Sequence, residues 1–124
     1  MIGLIVVLAL FGIKHFICDF WLQFPYMLSE KGTYGAIGGI HHALFHSIGT
    51  LVVLLLVFDI TPATTLVAVK LSLLDGVVHY HIDWAKQKLN KGLTPADKKF
   101  WFWMGLDQLL HYLTYLFIIG LLIV

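Results

Sequence analysis

Four long apolar stretches dominate the chain, at about residues 2–24, 38–58, 63–87 and 101–123, each interrupted by only a few polar side chains. A bilayer-spanning helix needs roughly 20 mostly apolar residues, so the pattern predicts four transmembrane helices that together use nearly the whole chain. Turn chemistry separates them: Pro25 and "SEKGTYG" after the first, "DITP" (59–62) after the second, and "NKGLTPADKK" (90–99) after the third. Short connections between neighbouring helices predict an all-α fold, an up-down four-helix bundle forming a single domain over residues 1–124.

The polar positions inside these stretches recur at one spacing. His15 and Asp19, His42 and His46, His79 and Asp83, and Asp107 and His111 give each segment one i,i+4 pair. Such a pair lies on one helical face, with its members about 6 Å apart along the axis. Because the chain reverses at every turn, Asp19, His42, Asp83 and Asp107 fall into one layer, and His15, His46, His79 and His111 into a second, deeper one.

Two of the segments also share a longer frame, "GIKHFICDFWLQ" (12–23) and "GVVHYHIDWAKQ" (76–87). His15 and His79 stand 64 positions apart, as do Gly12 and Gly76, while His42 and Asp107 stand 65 apart. The chain therefore reads as two helical hairpins in tandem, with halves at about 1–60 and 61–124, related by a pseudo-twofold axis along the membrane normal.

Composition supplies the solvent. With 60% hydrophobic and 12% charged residues and a mean hydropathy of +0.89, the chain belongs with polytopic membrane proteins and not with water-soluble domains. The opening "MIGLIVVLALFG" lacks a basic n-region and a small-residue cleavage site, so it is expected to remain as a helix. Lys31 lies in the first connection, and Lys86, Lys88, Lys91, Lys98 and Lys99 cluster at the third, whereas the second offers Asp59 and no cation. Lysine-rich connections face the cytoplasm, which puts both termini outside, in the inner (plasma) membrane of a bacterium. "FWFW" (100–103) reads as an interfacial aromatic anchor in preference to a base-stacking platform. The expected partner is thus the lipid bilayer and not nucleic acid, with a homo-oligomer left open.

Ionisable groups at membrane depth face one another or a wet cavity and mark function. Five imidazoles and three carboxylates are the ligand types of zinc, manganese and iron sites. His15, Asp19, His42, His46, His79, Asp83, Asp107 and His111 are accordingly the candidate metal ligands, with zinc ahead of iron or manganese; a metal-free His–Asp proton network is the competing reading. Two divalent ions, three aspartates and one bridging hydroxide sum to zero charge, which favours a dinuclear centre. A single ion would need a protonated group or a lysine such as Lys14 or Lys86 close by. Gln23, Gln87 and Gln108 are placed to hydrogen-bond the ligands, and Gly12 and Gly76 to let helices approach closely. His41 and His81 point away from the stripes and are read as cavity or interface residues. Cys18 stands alone, so it is read as packing. Asp75, one turn beyond His79, is expected to pair with a lysine or with backbone.

"KHFICDFWLQ", the Lys31 that follows, "HALFH", "HYHIDWAK" and "DQLLH" resemble the successive motifs of an uncharacterised bacterial and phage membrane family, domain of unknown function 3307, from about residue 10 to 115. More loosely, the pattern is similar to membrane-bound metal-dependent hydrolases of a DNA-damage-regulated bacterial type. That second resemblance implies a hydrolytic activity by analogy of fold and motif only.

A hydrolase of this kind would use a metal-activated water to attack an ester, amide or phosphoester drawn from the cytoplasmic leaflet, a lipid or lipid-linked substrate entering past Lys31 and Lys86. Three alternatives stand beside it. A divalent-metal transporter would use an Asp75–His79–Asp83 track with Lys70 beyond, although "GLIVVLAL", "LVVLLLV" and "LFIIGLLIV" leave the outer halves aliphatic. A di-iron oxidoreductase acting on lipid chains would be expected to use Glu and i,i+3 spacing. A non-enzymatic membrane scaffold would need none of this chemistry.

Overall fold

The computed structural model describes residues 2–57 and 64–123. Helix α1 (Ile2–Phe16) runs directly into a π-helical turn (Ile17–Trp21), followed by α2 (Pro25–Glu30), α3 (Ile37–Leu56), α4 (Thr65–Leu89) and α5 (Lys98–Ile123). No strand occurs among the described residues. The expected "DITP" break, with Asp59, lies outside them.

Local chemistry explains most of the boundaries. Thr64 caps α4 by accepting from the Val67 amide at 3.3 Å, satisfying one of the free N–H groups of the first turn. Gly92, at φ +80, turns the chain after α4, a conformation that L side chains rarely adopt. Asp97 accepts from the Thr94 amide at 2.7 Å and from the Thr94 hydroxyl at 2.9 Å, closing the turn that feeds α5. One boundary differs from the expectation. Pro25 does not simply close the first segment; it starts α2, because its fixed φ suits a first helical position and its missing N–H is not needed there.

The four long helices form a ring of antiparallel neighbours, as the order of their contacts shows. Along α3, Gly39, His42 and Ser47 meet Tyr80, His79 and Ser72 of α4 in falling order. On α5, Asp107 and His111 face Lys86 and Asp83 of α4. Helix α1 closes the ring, with Phe11 against Tyr115 of α5 and Cys18 against Phe45 of α3. The α3–α4 approach is closest at Gly76, where an added Cβ would sit 3.0 Å from Ser47 Cβ and 3.2 Å from the Ala43 carbonyl oxygen. Gly12 has no such role: a Cβ there would meet open space. The expected packing function thus holds for one of the two glycines, because only α4 is pressed against a neighbour at that position.

Three helical segments are long and apolar enough to cross a membrane: Gly3–Trp21, Ile37–Leu56 and Lys98–Leu122. The expected fourth, α4, is not among them. Its polar residues lower the mean hydropathy: Ser72, Asp75, His79 and Asp83 are buried on its inward face, and Lys70 and His81 are exposed beside Leu66, Leu73 and Val77.

The interior is built in four layers, one residue from each long helix per layer, at steps of four positions. Val7, Leu54, Leu71 and Ile119 form an apolar layer; Phe11, Thr50, Asp75 and Tyr115 the next; then His15, His46, His79 and His111; and finally Asp19, His42, Asp83 and Asp107. Fifteen of the sixteen are buried, and the Asp19 side chain is 11% exposed. Such i±4 rows are the ridges that helices interlock.

Candidate metal centre

Each long helical segment carries an inward row of four residues at steps of four. On the first, the last member is Asp19, and it sits in the π-helical turn Ile17–Trp21. Short π-helical turns inside α-helices are rare and occur mostly at functional sites.

Asp19 is the point on which the imidazoles converge. Its Oδ1 lies 2.9 Å from His46 Nε2, 3.1 Å from His42 Nε2 and 3.8 Å from His79 Nε2, and the Nε2 atoms of His42 and His79 are 3.2 Å apart. These four side chains offer donor atoms that all lie within 4.8 Å of one another. A second group, His79, Asp83 and His111, meets the same limit and shares His79. The rings of His46, His79 and His111 stack in sequence, with centroids 3.4 Å and then 4.1 Å apart.

The other two members of the eight are placed differently. His15 contacts Asp19 Oδ2 at 3.0 Å, but its Nδ1 is taken by the Tyr115 hydroxyl at 2.7 Å, and its Nε2 also lies 3.2 Å from Gln108 Oε1. Asp107 lies 3.4 Å from His111, accepts from the Gln108 amide at 3.0 Å and lies 3.7 Å from Lys86. All eight therefore converge in one cluster, four of them at its centre and the rest around it.

Lysines enter the cluster more deeply than the sequence reading anticipated. Lys14, 5% exposed, donates to Asp75 Oδ2 at 2.6 Å, and the Thr50 hydroxyl donates to the same oxygen at 2.5 Å. Gly49 makes room for this lysine, since a Cβ there would come within 2.9 Å of Lys14 Cγ. Asp75 is thus paired with a lysine, from another helix. Lys31, 4% exposed, donates to Asp83 Oδ2 at 3.0 Å and to Gln23 Oε1 at 2.5 Å. Lys86 lies 3.8 Å from Asp83 and 3.7 Å from Asp107. Asp19 is the one carboxylate of the four interior aspartates with no lysine contact among the described residues.

A cavity of about 340 Å³ opens onto the cluster at this end of the bundle and reaches Asp19, Lys31 and Lys86. Gln23, Gln87 and Gln108 all line it, and Gln23 also donates to the Asp19 carbonyl at 2.6 Å. Outside the cluster, His41 meets the Tyr26 hydroxyl at 2.9 Å and His81 that of Tyr34 at 3.1 Å. Cys18 is buried and donates to the Phe45 carbonyl at 3.5 Å, a packing role.

Thr50 and Tyr115 were missed by the sequence reading, and the signal for them was present. Extending each stripe by one more step of four leads from His46 to Thr50 and from His111 to Tyr115, as it leads from His79 to Asp75. The burial of Lys31 had no such signal, because α2 folds it inward from what reads as a connection.

Over residues 7–124 the chain matches, and so belongs to, the family described as protein of unknown function DUF3307. No match was found among curated proteins or among solved structures.

Proposed function

We propose that this is an integral membrane protein whose four long helices all cross the bilayer and whose interior holds a divalent metal ion between Asp19, His42, His46 and His79. The observation that carries the reading is the spacing of the four donors. Zinc bonds of about 2.0–2.1 Å in tetrahedral geometry set ligand atoms ~3.3–3.4 Å apart. The 2.9, 3.1 and 3.8 Å separations at Asp19 Oδ1, with 3.2 Å between the Nε2 atoms of His42 and His79, bracket that value. Three imidazoles and one carboxylate are also a donor set that zinc, manganese and iron accept.

Membrane insertion is supported by the inverted layering. Large apolar side chains such as Ile48, Leu73, Val77 and Phe117 are exposed around the outside, while Lys14, Lys31, Asp75, Asp83 and Asp107 are buried. An apolar outer surface with ionisable groups facing the bundle interior suits lipid as the solvent. The inward polar stripe of α4 lowers its hydropathy without removing it from the bilayer. The lysine-rich third connection then favours both termini outside.

Charge balance favours one ion. The interior holds four aspartates and the three lysines Lys14, Lys31 and Lys86, which leaves one negative charge, on Asp19. A single divalent cation with one anionic partner cancels it; two divalent cations would leave an excess. The lysines, absent from the count of three aspartates alone, move the balance from a dinuclear to a mononuclear centre.

Metal-dependent hydrolysis of an ester, amide or phosphoester is the reaction this arrangement suits best. The ion would supply Lewis-acid activation of water and of the substrate oxygen. The chain's own residues do the rest. Tyr115 fixes the His15 ring through Nδ1, and His15 in turn holds Asp19 Oδ2, leaving Oδ1 to the three imidazoles. Lys31 restrains Asp83. The apolar layer behind Tyr115 excludes water from the far side, and that closure, together with the Lys14–Asp75 pair beneath the cluster, argues against a transport pathway. Element analysis of the purified protein tests the site: about one equivalent of metal per chain is expected, falling to a small fraction in Asp19→Asn and His46→Ala. A wild-type protein that is metal-free and keeps its thermal midpoint in chelator would sink the metal reading. Metal-loaded protein inert toward a panel of esters, amides and phosphoesters would sink the hydrolase alone.

A further inference from the structure

The cavity beside the His–Asp cluster holds polar groups that lack a hydrogen-bond partner among the described residues. The Lys86 side chain is 11% exposed, and its nearest carboxylate oxygens stand at 3.7 and 3.8 Å, too far for hydrogen bonds. Among the described residues its ammonium donates to no protein acceptor. One turn further along α4, the side-chain oxygen of Asn90 is buried without a partner. Both residues line the cavity. The half-buried ammonium, held only by longer ion-pair contacts, and the buried amide oxygen without a partner would both gain from a bound polar group. Lys31, which lines the same space, uses two of its three donors on Gln23 and Asp83. Among the described residues its third donor has no acceptor.

The chemistry of a ligand that would suit the cavity follows from the groups that line it. It must be anionic to meet two ammonium groups, and it must offer several acceptor oxygens to reach Lys31 and Lys86 together. Its charge is bounded too: with a divalent ion at Asp19 the interior carries one excess positive charge, which a singly charged phosphodiester neutralises and a second metal ion would not. The opposite wall of the cavity is apolar, formed by Phe20, Leu28, Phe100 and Met104, and Phe20 is 71% exposed toward the outer surface. At about 340 Å³ the space is at the small end of ligand pockets, enough for a headgroup but not for acyl chains, which would lie along that apolar wall.

We propose that this cavity binds a phosphate ester, with Lys86 as its principal cation, Lys31 as the second and Asn90 meeting the alcohol portion, so that the phosphate sits beside Asp19. This rests on the hydrolase reading for its catalytic meaning and narrows the substrate from esters, amides and phosphoesters to phosphoesters; as a binding site it stands on the lining groups of the cavity and on the charge balance with the ion bound.

Calorimetric titration of the full-length protein in detergent tests it, with dihexanoylphosphatidylglycerol, glycerol 3-phosphate, dihexanoylglycerol and hexanoate as probes. The phosphate-bearing probes should bind and the other two should not. Lys86→Gln should weaken binding about tenfold or more, the range expected when a charged hydrogen bond is lost; Lys86→Arg should keep most of it, and Lys88→Gln, on the exposed side of α4, should change nothing. Tighter binding of the phosphatidylglycerol assigns the site to a lipid headgroup, and equal binding of glycerol 3-phosphate assigns it to a soluble phosphate ester. Binding of dihexanoylglycerol or hexanoate as tight as that of the phosphates, or affinity unchanged in Lys86→Gln, would overturn the proposal. Metal content measured on the same samples separates the two readings: phosphate binding lost in Lys86→Gln by a metal-free protein leaves this site standing and removes the metal centre. Metal retained with no phosphate binding does the reverse.

Discussion

The two ends of the bundle interior are built on the same four helices, by the same steps of four residues, and have opposite chemistry. At one end Val7, Phe11, Leu54, Leu71, Ile118 and Ile119 pack as an aliphatic and aromatic core. At the other, imidazoles, carboxylates and lysines fill the corresponding positions. Between them, Thr50, Asp75 and Tyr115, with Lys14 reaching in from the side, share a layer with Phe11 and are joined by hydrogen bonds. The difference teaches what each end demands. Apolar packing asks for volume and shape, which many side chains supply. A polar interior asks for a partner at every donor and acceptor. The buried side-chain atoms without partners include the Nδ1 atoms of His42, His46 and His79, Asp107 Oδ1 and His111 Nε2, and all of these lie at the polar end. That end is unfinished as a fold, which is the condition expected of a site that holds something.

Exchanging the chemistry of the two ends gives the strongest test of this contrast. Ile118 is fully buried in the apolar core, among aliphatic and aromatic side chains. Ile118→Asp should destabilise the bundle by on the order of 5 kcal/mol or more, read as loss of the folded monomer in detergent. A variant with a near-normal thermal midpoint would mean that the apolar end is wetter than its lining implies.

The boundary layer gives a smaller effect and a sharper one. Asp75→Ala leaves the Lys14 ammonium buried beside Thr50 and Tyr115, at a cost of about 3–5 kcal/mol. The double variant Lys14→Met, Asp75→Leu removes both charges and should recover wild-type stability or exceed it, because apolar isosteres avoid the desolvation of an ion pair. Metal content should survive in the double variant if this layer only supports the site. Its loss would place Lys14 and Asp75 among the groups that set the charge of the centre. Denaturation midpoints and element analysis on the same preparations separate these outcomes.

The smallest effect lies outside both ends, at the turn into α5. Hydrogen bonds from the Thr94 amide and hydroxyl hold the Asp97 carboxyl below its usual range. A carboxyl lowered in the folded state adds stability that is complete above its ordinary value of 3.8 and fades as the pH falls through the folded value. The protection factor of the Thr94 amide, its exchange rate relative to the unfolded chain at the same pH, should therefore fall below about pH 4 in the wild type. It should lose that acid dependence in Asp97→Asn. Unchanged dependence in the variant would show that another group closes the turn.

Much of the candidate site was legible before any coordinates. The i,i+4 pairs on four segments place His15, Asp19, His42, His46, His79, Asp83, Asp107 and His111 at matching depth, and the reversal of the chain brings them together. What escaped was of two kinds. The inward burial of Lys31 depends on α2, a short helix hidden in what reads as a connection, and Asp19 lies in a π-helical turn; neither leaves a hydrophobic period to detect. The positions of Thr50 and Tyr115 were legible in principle, since they continue stripes already recognised, but a lone threonine or tyrosine in an apolar run carries no charge to mark it.

By itself the sequence determined the helical character of the chain, the four apolar segments, and the list of ionisable side chains that share a helical face. Those follow from periodicity and from the free energy of placing polar groups in an apolar run, both of which are local. The tertiary structure decided which nitrogen meets which oxygen: three imidazoles on Asp19 Oδ1, His15 on Tyr115, Lys14 on Asp75, and Lys86 between Asp83 and Asp107. Such choices depend on distances of a few tenths of an ångström between helices far apart in the chain. A local pattern does not fix those distances; the packing of all four helices does.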